Sequence, residues 1–467
     1  MISSLPFNLS SDVARFAYMH SSKQIAVFLH TSLLKESNIG ILKLVTLKPK
    51  NVFYYLTENT VYELRLLAKY SHSENYRKKA KTMLDSFRTK NAWSLKSIID
   101  YKNCFLDAYR ADIALFVFLD PVSAQDFTVK MGKAENVYFM NCDPLNTLIT
   151  FYSPALSGTR VVRKCTAIHH ESTARPFAKT DTFVICDARL NKRQTVYGND
   201  LKPFNNTGAE AILFTAESLP NKVLKIYKYP MENDKLTRKL QLMCFLNQGG
   251  YLSCCVLPSA LIMRDGKCVG FVMDKSIGRE LSDVIRCYNE VQKYGVIRDL
   301  TVSLLEMRFA SILFTDISPH NIQISSGGAL RILDCDSMEI CQYPGGGITP
   351  PYGHPDVTEK YFYSLLRTME QIDFSYAVML FTILLWEQPL LQAGLGDVDV
   401  EWRVHQFPLA NDTSGNGVTA ANAKLGPGRL EAWKELPLSV RKNFVDVFNF
   451  MYTHDFGSWV KALDLIS

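Results

Sequence analysis

The sequence predicts an α+β protein in two parts: a mixed α/β domain over residues 1–190, then a two-lobed part with a strand-rich lobe at 191–275 and a helix-rich lobe at 276–467. Three observations predict it. Strand-like and helix-like apolar patterns are interleaved before residue 190. Short β-like runs surround one helical run between 204 and 273. Beyond 290 helical patterns dominate, and the apolar run Ala377–Trp386 is too short to span a bilayer, so it reads as a buried core helix.

Of 467 residues, 47% are hydrophobic and 21% charged, a balance that excludes a disordered chain. The 52 Lys and Arg against 46 Asp and Glu are too even to imply a nucleic-acid partner. The 11 cysteines are dispersed without metal-ligand spacing, as expected of reduced thiols in the cytoplasm. Met1–Arg15 has neither a basic start nor a long apolar core, so no signal peptide and no transmembrane segment are expected.

In the first domain, Phe16–Leu34 and Ile41–Leu56 alternate as short strands would. Tyr62–Tyr109 reads as helical: Tyr76, Ala80, Met83, Leu84 and Phe87 share one face, and Leu95, Ile98, Ile99, Phe105 and Leu106 share another. Strands are expected at Ile113–Leu119, Val137–Met140 and Thr147–Phe151. Arg77, Lys78, Lys79, Lys81, Arg88 and Lys90 face a single Asp85, which reads as the solvated side of a helix; a docking surface for an acidic partner or anionic lipid is the alternative. Asp120–Ser123 reads as a turn, and His169–His170 lack a third ligand for zinc.

The second part carries the chemistry. Phe204–Ala211 precedes the strand Ile212–Phe214 and holds Gly208, which could let backbone N–H groups approach phosphates or simply form a hairpin turn. Lys222–Tyr227 reads as a central strand in which Lys225 points inward between Leu224 and Ile226. The helix Asp234–Asn247 has no acid after Asp234; Gln241 could bond the lysine without neutralising it, and Glu210 is a neighbouring acid. Strands Ala260–Met263 and Val269–Met273 follow, the second running into Asp274 and Lys275. Val291–Met307 reads as a long amphipathic helix leading into a loop where Asp316 and Asn321 stand five residues apart. Asp334 lies thirteen residues after Asn321, beyond a turn at Gly327–Gly328. Two carboxylates and an amide at such spacing suit transfer of a phosphoryl group from a metal-bound nucleotide. Asp336 reads as the cap of the following turn, with a second metal ligand as the alternative.

Asp316, Asn321, Asp334 and the buried-helix Asp373, in that order, resemble the catalytic core of protein kinases. The form D-x-x-P-x-N-I followed by D-x-D-S resembles a divergent bacterial kinase-like family associated with PP2C-type phosphatases, over about residues 195–465. Tyr343–Asp356 fits that family's short activation segment, with Asp356 in place of Glu, and 388–432 reads as a long surface loop before the final helices. The resemblance implies ATP and Mg2+ as cofactors. Asp316 would be the proton acceptor and Asn321 and Asp334 the metal ligands. Lys225 and Gly208 would lie at the phosphates, and Met273, Asp274 and Lys275 at the adenine. Phe314, Thr315 and Ser318 depart from the His, Arg and Lys usual in the protein-kinase catalytic loop.

Three functions are therefore carried forward. The first is a Ser/Thr protein kinase acting on a protein substrate, with a PP2C-type phosphatase as a candidate partner. The second is a pseudokinase that binds partners through its N-terminal domain, and the third is nucleotidyl transfer on the same fold.

Overall fold

The computed structural model describes residues 9–35, 50–86, 111–118, 136–143, 148–152, 165–168, 177–187, 192–205, 210–228, 234–248, 252–349, 352–358, 361–385 and 427–467. Gly208, Asp120–Ser123, His169–His170, Arg88 and Lys90 lie outside the described residues.

The first domain runs α1 (Leu9–Met19), β1 (Ile25–Leu29), β2 (Val52–Leu56), α2 (Glu58–Tyr70), α3 (Glu74–Ser86), β3 (Ile113–Phe118), β4 (Val137–Asp143) and β5 (Leu148–Tyr152). Its sheet has the order β2-β1-β3-β4-β5, parallel except for β5. Strands covered on both faces need no polar alternation, and all five residues of β1 are buried. Val27, Leu29, Leu115 and Val117 face the main core. Phe28 and Phe116 stack on the other side, with ring centroids 4.8 Å apart. The strand expected over Phe16–Leu34 is confined to β1. Val13, Phe16 and Ala17 are buried at helical spacing in α1, so the 3.6-residue period wins there.

The second part opens with an antiparallel sheet: β6 (Thr182–Asp187), β7 (Lys192–Tyr197), β8 (Lys202–Asn205), β9 (Ala211–Thr215), β10 (Lys222–Tyr227), then α4 (Asp234–Gln248), β11 (Pro258–Arg264) and β12 (Lys267–Asp274). Strand order is β7-β6-β11-β12-β10-β9-β8. This corrects the boundary expected at 190, because β6 pairs with β11 through Cys186 and Leu261 and belongs to this sheet. Buried Asp181 anchors the entry, accepting a bond from Arg264 at 2.8 Å.

Next come β13 (Arg279–Glu280), α5 (Leu281–Val284), α6 (Glu290–Phe309), β14 (Ile312–Leu313), β15 (Ile322–Ile324), β16 (Leu330–Ile332), β17 (Glu339–Ile340), α7 (Met369–Leu385), α8 (Pro427–Glu435), α9 (Leu438–Phe450) and α10 (Phe456–Ala462). A capping box between Asn289 and Gln292 starts α6. The loop expected over 388–432 gives way to α8 at Pro427, where a proline suits a first helical turn. No helix among the described residues is long and apolar enough to cross a membrane.

The N-terminal domain is locked onto the helical lobe. Glu63 of α2 accepts from Arg308 of α6 at 3.1 Å, and both side chains are buried. Glu306 accepts from the Ser71 hydroxyl at 2.5 Å and the His72 amide at 2.7 Å. Asn59 bonds the carboxylate of Asp455, the cap of α10, at 3.0 Å. A Cβ on Gly457 would come within 2.5 Å of the Asn59 carbonyl, so this contact requires glycine. One continuous apolar core joins the two parts.

Candidate active site

Between the seven-stranded sheet and α6–α7, three segments converge: β10, the loop after β14, and the loop after β16. Lys225 comes from the middle of β10, whose neighbours are β9 and β12. β12 approaches unusually closely, since a Cβ on Gly270 would meet the Lys225 carbonyl at 2.1 Å. Lys225 is largely buried, and its ammonium bonds both Asp334 and Asp336, the latter at 2.6 Å. Burial works against its charge, but the two carboxylates outweigh that and hold its pKa above the ordinary lysine value.

Asp334 sits in the left-handed region at φ 56, ψ 44, a conformation costing a non-glycine residue about 1 kcal/mol or more. Bonds from Ser337 to its carbonyl, the hydroxyl at 2.7 Å, hold the turn. Burial alone would raise its carboxyl pKa, yet Lys225 outweighs this and keeps it below the usual value. Asp336 follows in a short 3-10 turn, and its second oxygen accepts the Tyr227 hydroxyl at 2.9 Å. Its carboxylate therefore belongs to Lys225 and Tyr227, which corrects the reading as a turn cap.

The loop after β14 places Asp316 beside Asn321, whose side-chain amide donates to the Asp316 carboxylate at 2.8 Å and to its carbonyl at 3.1 Å. Thr349 adds its backbone N–H at 2.6 Å and its hydroxyl at 3.1 Å. Burial pushes the Asp316 pKa up, against the downward pull of these bonds. The two loops are tied together, since the Leu333 amide donates to the Asn321 carbonyl at 2.8 Å. Ser318, two residues after Asp316, is fully buried. Asp373 is buried on α7.

The other expected residues lie as follows. Met273 is half-buried at the end of β12; Asp274 is exposed and pairs with Lys222 at 2.6 Å. The Lys275 amide donates to the Asn221 carbonyl at 2.9 Å. Gln241 is exposed on α4 and does not meet Lys225. Glu210 accepts from the Tyr363 hydroxyl at 3.1 Å.

Lys239 is the residue that sequence reasoning missed. It is fully buried on α4, donating to the carbonyls of Asp336 at 2.8 Å and Pro344 at 2.9 Å. Burial pulls its pKa down to about 8, against the opposing charge of Asp336. Its signal was visible: Leu236, Lys239, Leu240, Met243 and Cys244 form one helical stripe, with the lysine inside it.

The donor set fits a hard divalent cation. Asn321 commits its N–H groups to Asp316, leaving a carbonyl oxygen as a ligand, and Asp334 commits one oxygen to Lys225, leaving another. A lysine and two carboxylates thus stand beside an oriented Asp–Asn pair.

The sheet, its lysine strand and the paired loops define an α+β, two-lobed, protein-kinase-like fold preceded by a mixed α/β domain. Solved structures that align with the chain include two kinases. PK-1 of Cydia pomonella granulovirus aligns at 13% identity and a TM-score of 0.40, covering 58% of this chain and 96% of its own. The ROP18 kinase domain, solved in complex with AMP-PNP and sucrose, aligns at 17% and 0.35, covering 58% and 85%. No sequence-family model and no curated protein matches the chain.

Proposed function

We propose that the chain is an ATP-dependent phosphotransferase that moves the γ-phosphoryl group to a Ser or Thr hydroxyl of a protein. The observation that carries this reading is that Lys225 bonds Asp334, whose loop is tied through Leu333 to the Asp316–Asn321 pair. Asp316 orients the acceptor hydroxyl and takes its proton. Asn321 and Thr349 fix the carboxylate that does so, and burial makes it a stronger base than a surface aspartate. Lys225 holds the α and β phosphates. Asn321 and Asp334 would hold magnesium, which when bound neutralises charge on the phosphate oxygens.

Asp316→Ala is expected to abolish label transfer from γ-labelled ATP, a loss of at least about a hundredfold, while nucleotide binding persists. Transfer by the variant at the wild-type rate would refute the assignment. Label arriving from α-labelled ATP instead would mean nucleotidyl transfer. The pseudokinase reading is favoured by one observation: the Lys225 ammonium is already paired with two carboxylates, Asp334 and Asp336. Titration of ATP with and without magnesium, on the wild type and Asp334→Ala, separates the two. Magnesium-dependent binding lost in the variant supports the enzyme, and no binding in any condition supports the scaffold.

A further inference from the structure

A phosphate-binding lysine must be held in place by a carboxylate before substrate arrives, because an unpaired buried ammonium is costly. Helix α4 supplies none. Its residue facing the site is itself a lysine, Lys239. The carboxylate that meets Lys225 comes instead from the loop after β16. Asp336 is held at three points: by Lys225 Nζ at 2.6 Å, by the Tyr227 hydroxyl at 2.9 Å, and at its carbonyl by Lys239 Nζ at 2.8 Å. Tyr227 lies two residues beyond Lys225 on β10, hence on the same face of the sheet.

We propose that Asp336 is the positioning acid for Lys225, and that Lys239 clamps the loop that carries it, so that the lysine is set by that loop and not by movement of α4. The role of the lysine rests on the phosphotransferase reading; the pairing itself does not. The arrangement divides labour between the two carboxylates. With Asp336 retaining the ammonium, Asp334 can turn toward a cation without leaving Lys225 unpaired. Lys239 also reaches the Pro344 carbonyl, at the start of the segment leading to Thr349 and its bonds to Asp316. Both Lys239 acceptors are carbonyls, and a neutral amine still has two N–H donors for them, so the clamp holds in either protonation state. Assembly of the site therefore requires neither a helix swing nor phosphorylation of the segment.

The test follows Mg-ATP affinity and turnover in the wild type, Asp336→Asn, Asp336→Glu and Lys239→Met, together with a double-mutant unfolding cycle on Lys225→Met and Asp336→Asn. Asp336→Asn is expected to lose about tenfold or more in Mg-ATP affinity, with KM rising, and Asp336→Glu to recover part of it. Lys239→Met is expected to fall in the same direction. In the cycle, the two losses should be non-additive by about tenfold in the unfolding equilibrium. Wild-type affinity in Asp336→Asn, or additive losses in the cycle, would overturn the proposal. Should the wild type bind no nucleotide, the phosphotransferase reading falls, and the cycle alone still decides the pairing: coupling supports it and additivity overturns it.

Discussion

Arg308→Leu should destabilise the whole chain. In the native protein its guanidinium bonds Glu63 at 3.1 Å and the Thr31 hydroxyl at 3.2 Å, and the Arg308 and Glu63 side chains are 3% and 4% exposed. Burial already raises the Glu63 pKa, with Arg308 pulling it down. Removing the arginine leaves a buried carboxylate with Thr31 as its remaining hydroxyl donor. Breaking a buried pair on one side costs about 3–5 kcal/mol. The Thr31 bond and protonation of the acid relieve part of this, so about 3 kcal/mol is expected. Urea unfolding at pH 7, read by tryptophan emission, measures it, since Trp433 and Trp459 are buried in the helical lobe. The deficit should shrink as pH falls through the raised pKa of Glu63, where the acid takes up a proton in the folded state. Glu63→Leu combined with Arg308→Leu should recover most of the loss. A loss below about 1 kcal/mol, or a double variant no better than the single, would refute the view that this pair joins the two parts.

Gly270→Ala should displace β10, because the new Cβ would stand 2.1 Å from the Lys225 carbonyl; a loss of about 2 kcal/mol and weaker ATP binding are expected by unfolding and calorimetry. Lys239 gives an inverted pH signature. Its folded pKa of about 8 lies below its ordinary 10.5, so the unfolded chain binds more protons between those values and stability rises with pH there. Relative to Lys239→Met, the wild type should gain up to about 3 kcal/mol across that window, measured by urea unfolding at stepped pH; a flat difference would refute a buried, charge-bearing lysine.

What could be read before the structure was local spacing. Asp316 and Asn321 sit in one loop, so their sequence separation nearly fixes their geometry. Asp336 and Tyr227 are 109 residues apart, and no local pattern joins them. A lysine in a helix normally faces water, and that expectation outweighs the apolar stripe in which Lys239 stands. The α6 helix was read as amphipathic, yet Thr301, Ser303, Glu306 and Arg308 are all buried. Glu306 and Arg308 meet the N-terminal domain and Thr301 bonds Tyr376 of α7, and contacts between elements distant in sequence leave no periodic mark. The place of β6 across 190 is hidden for a related reason: its partner β11 lies 77 residues downstream (Ile185 to Ile262 in register), beyond the intervening strands. The joined core also changes the meaning of a deletion of residues 1–190. Such a truncation removes β6 and bares α6 and α10, so lost partner binding could not be separated from lost folding.

The β6–β7 pair carries the border of the sheet outward from β11 to β7, and among the described residues no strand pairs beyond it. A border strand presents unpaired N–H and C=O groups, onto which another molecule's strand can align and grow. Here β7 begins with Lys192 and Arg193, while the opposite border, β8, begins with Lys202 and Pro203, whose nitrogen carries no hydrogen. A strand added at the proline would find a carbonyl without a donor. The lobe that holds the lysine thus ends, on the β8 side, in a border that resists self-templated stacking, two strands away from β10.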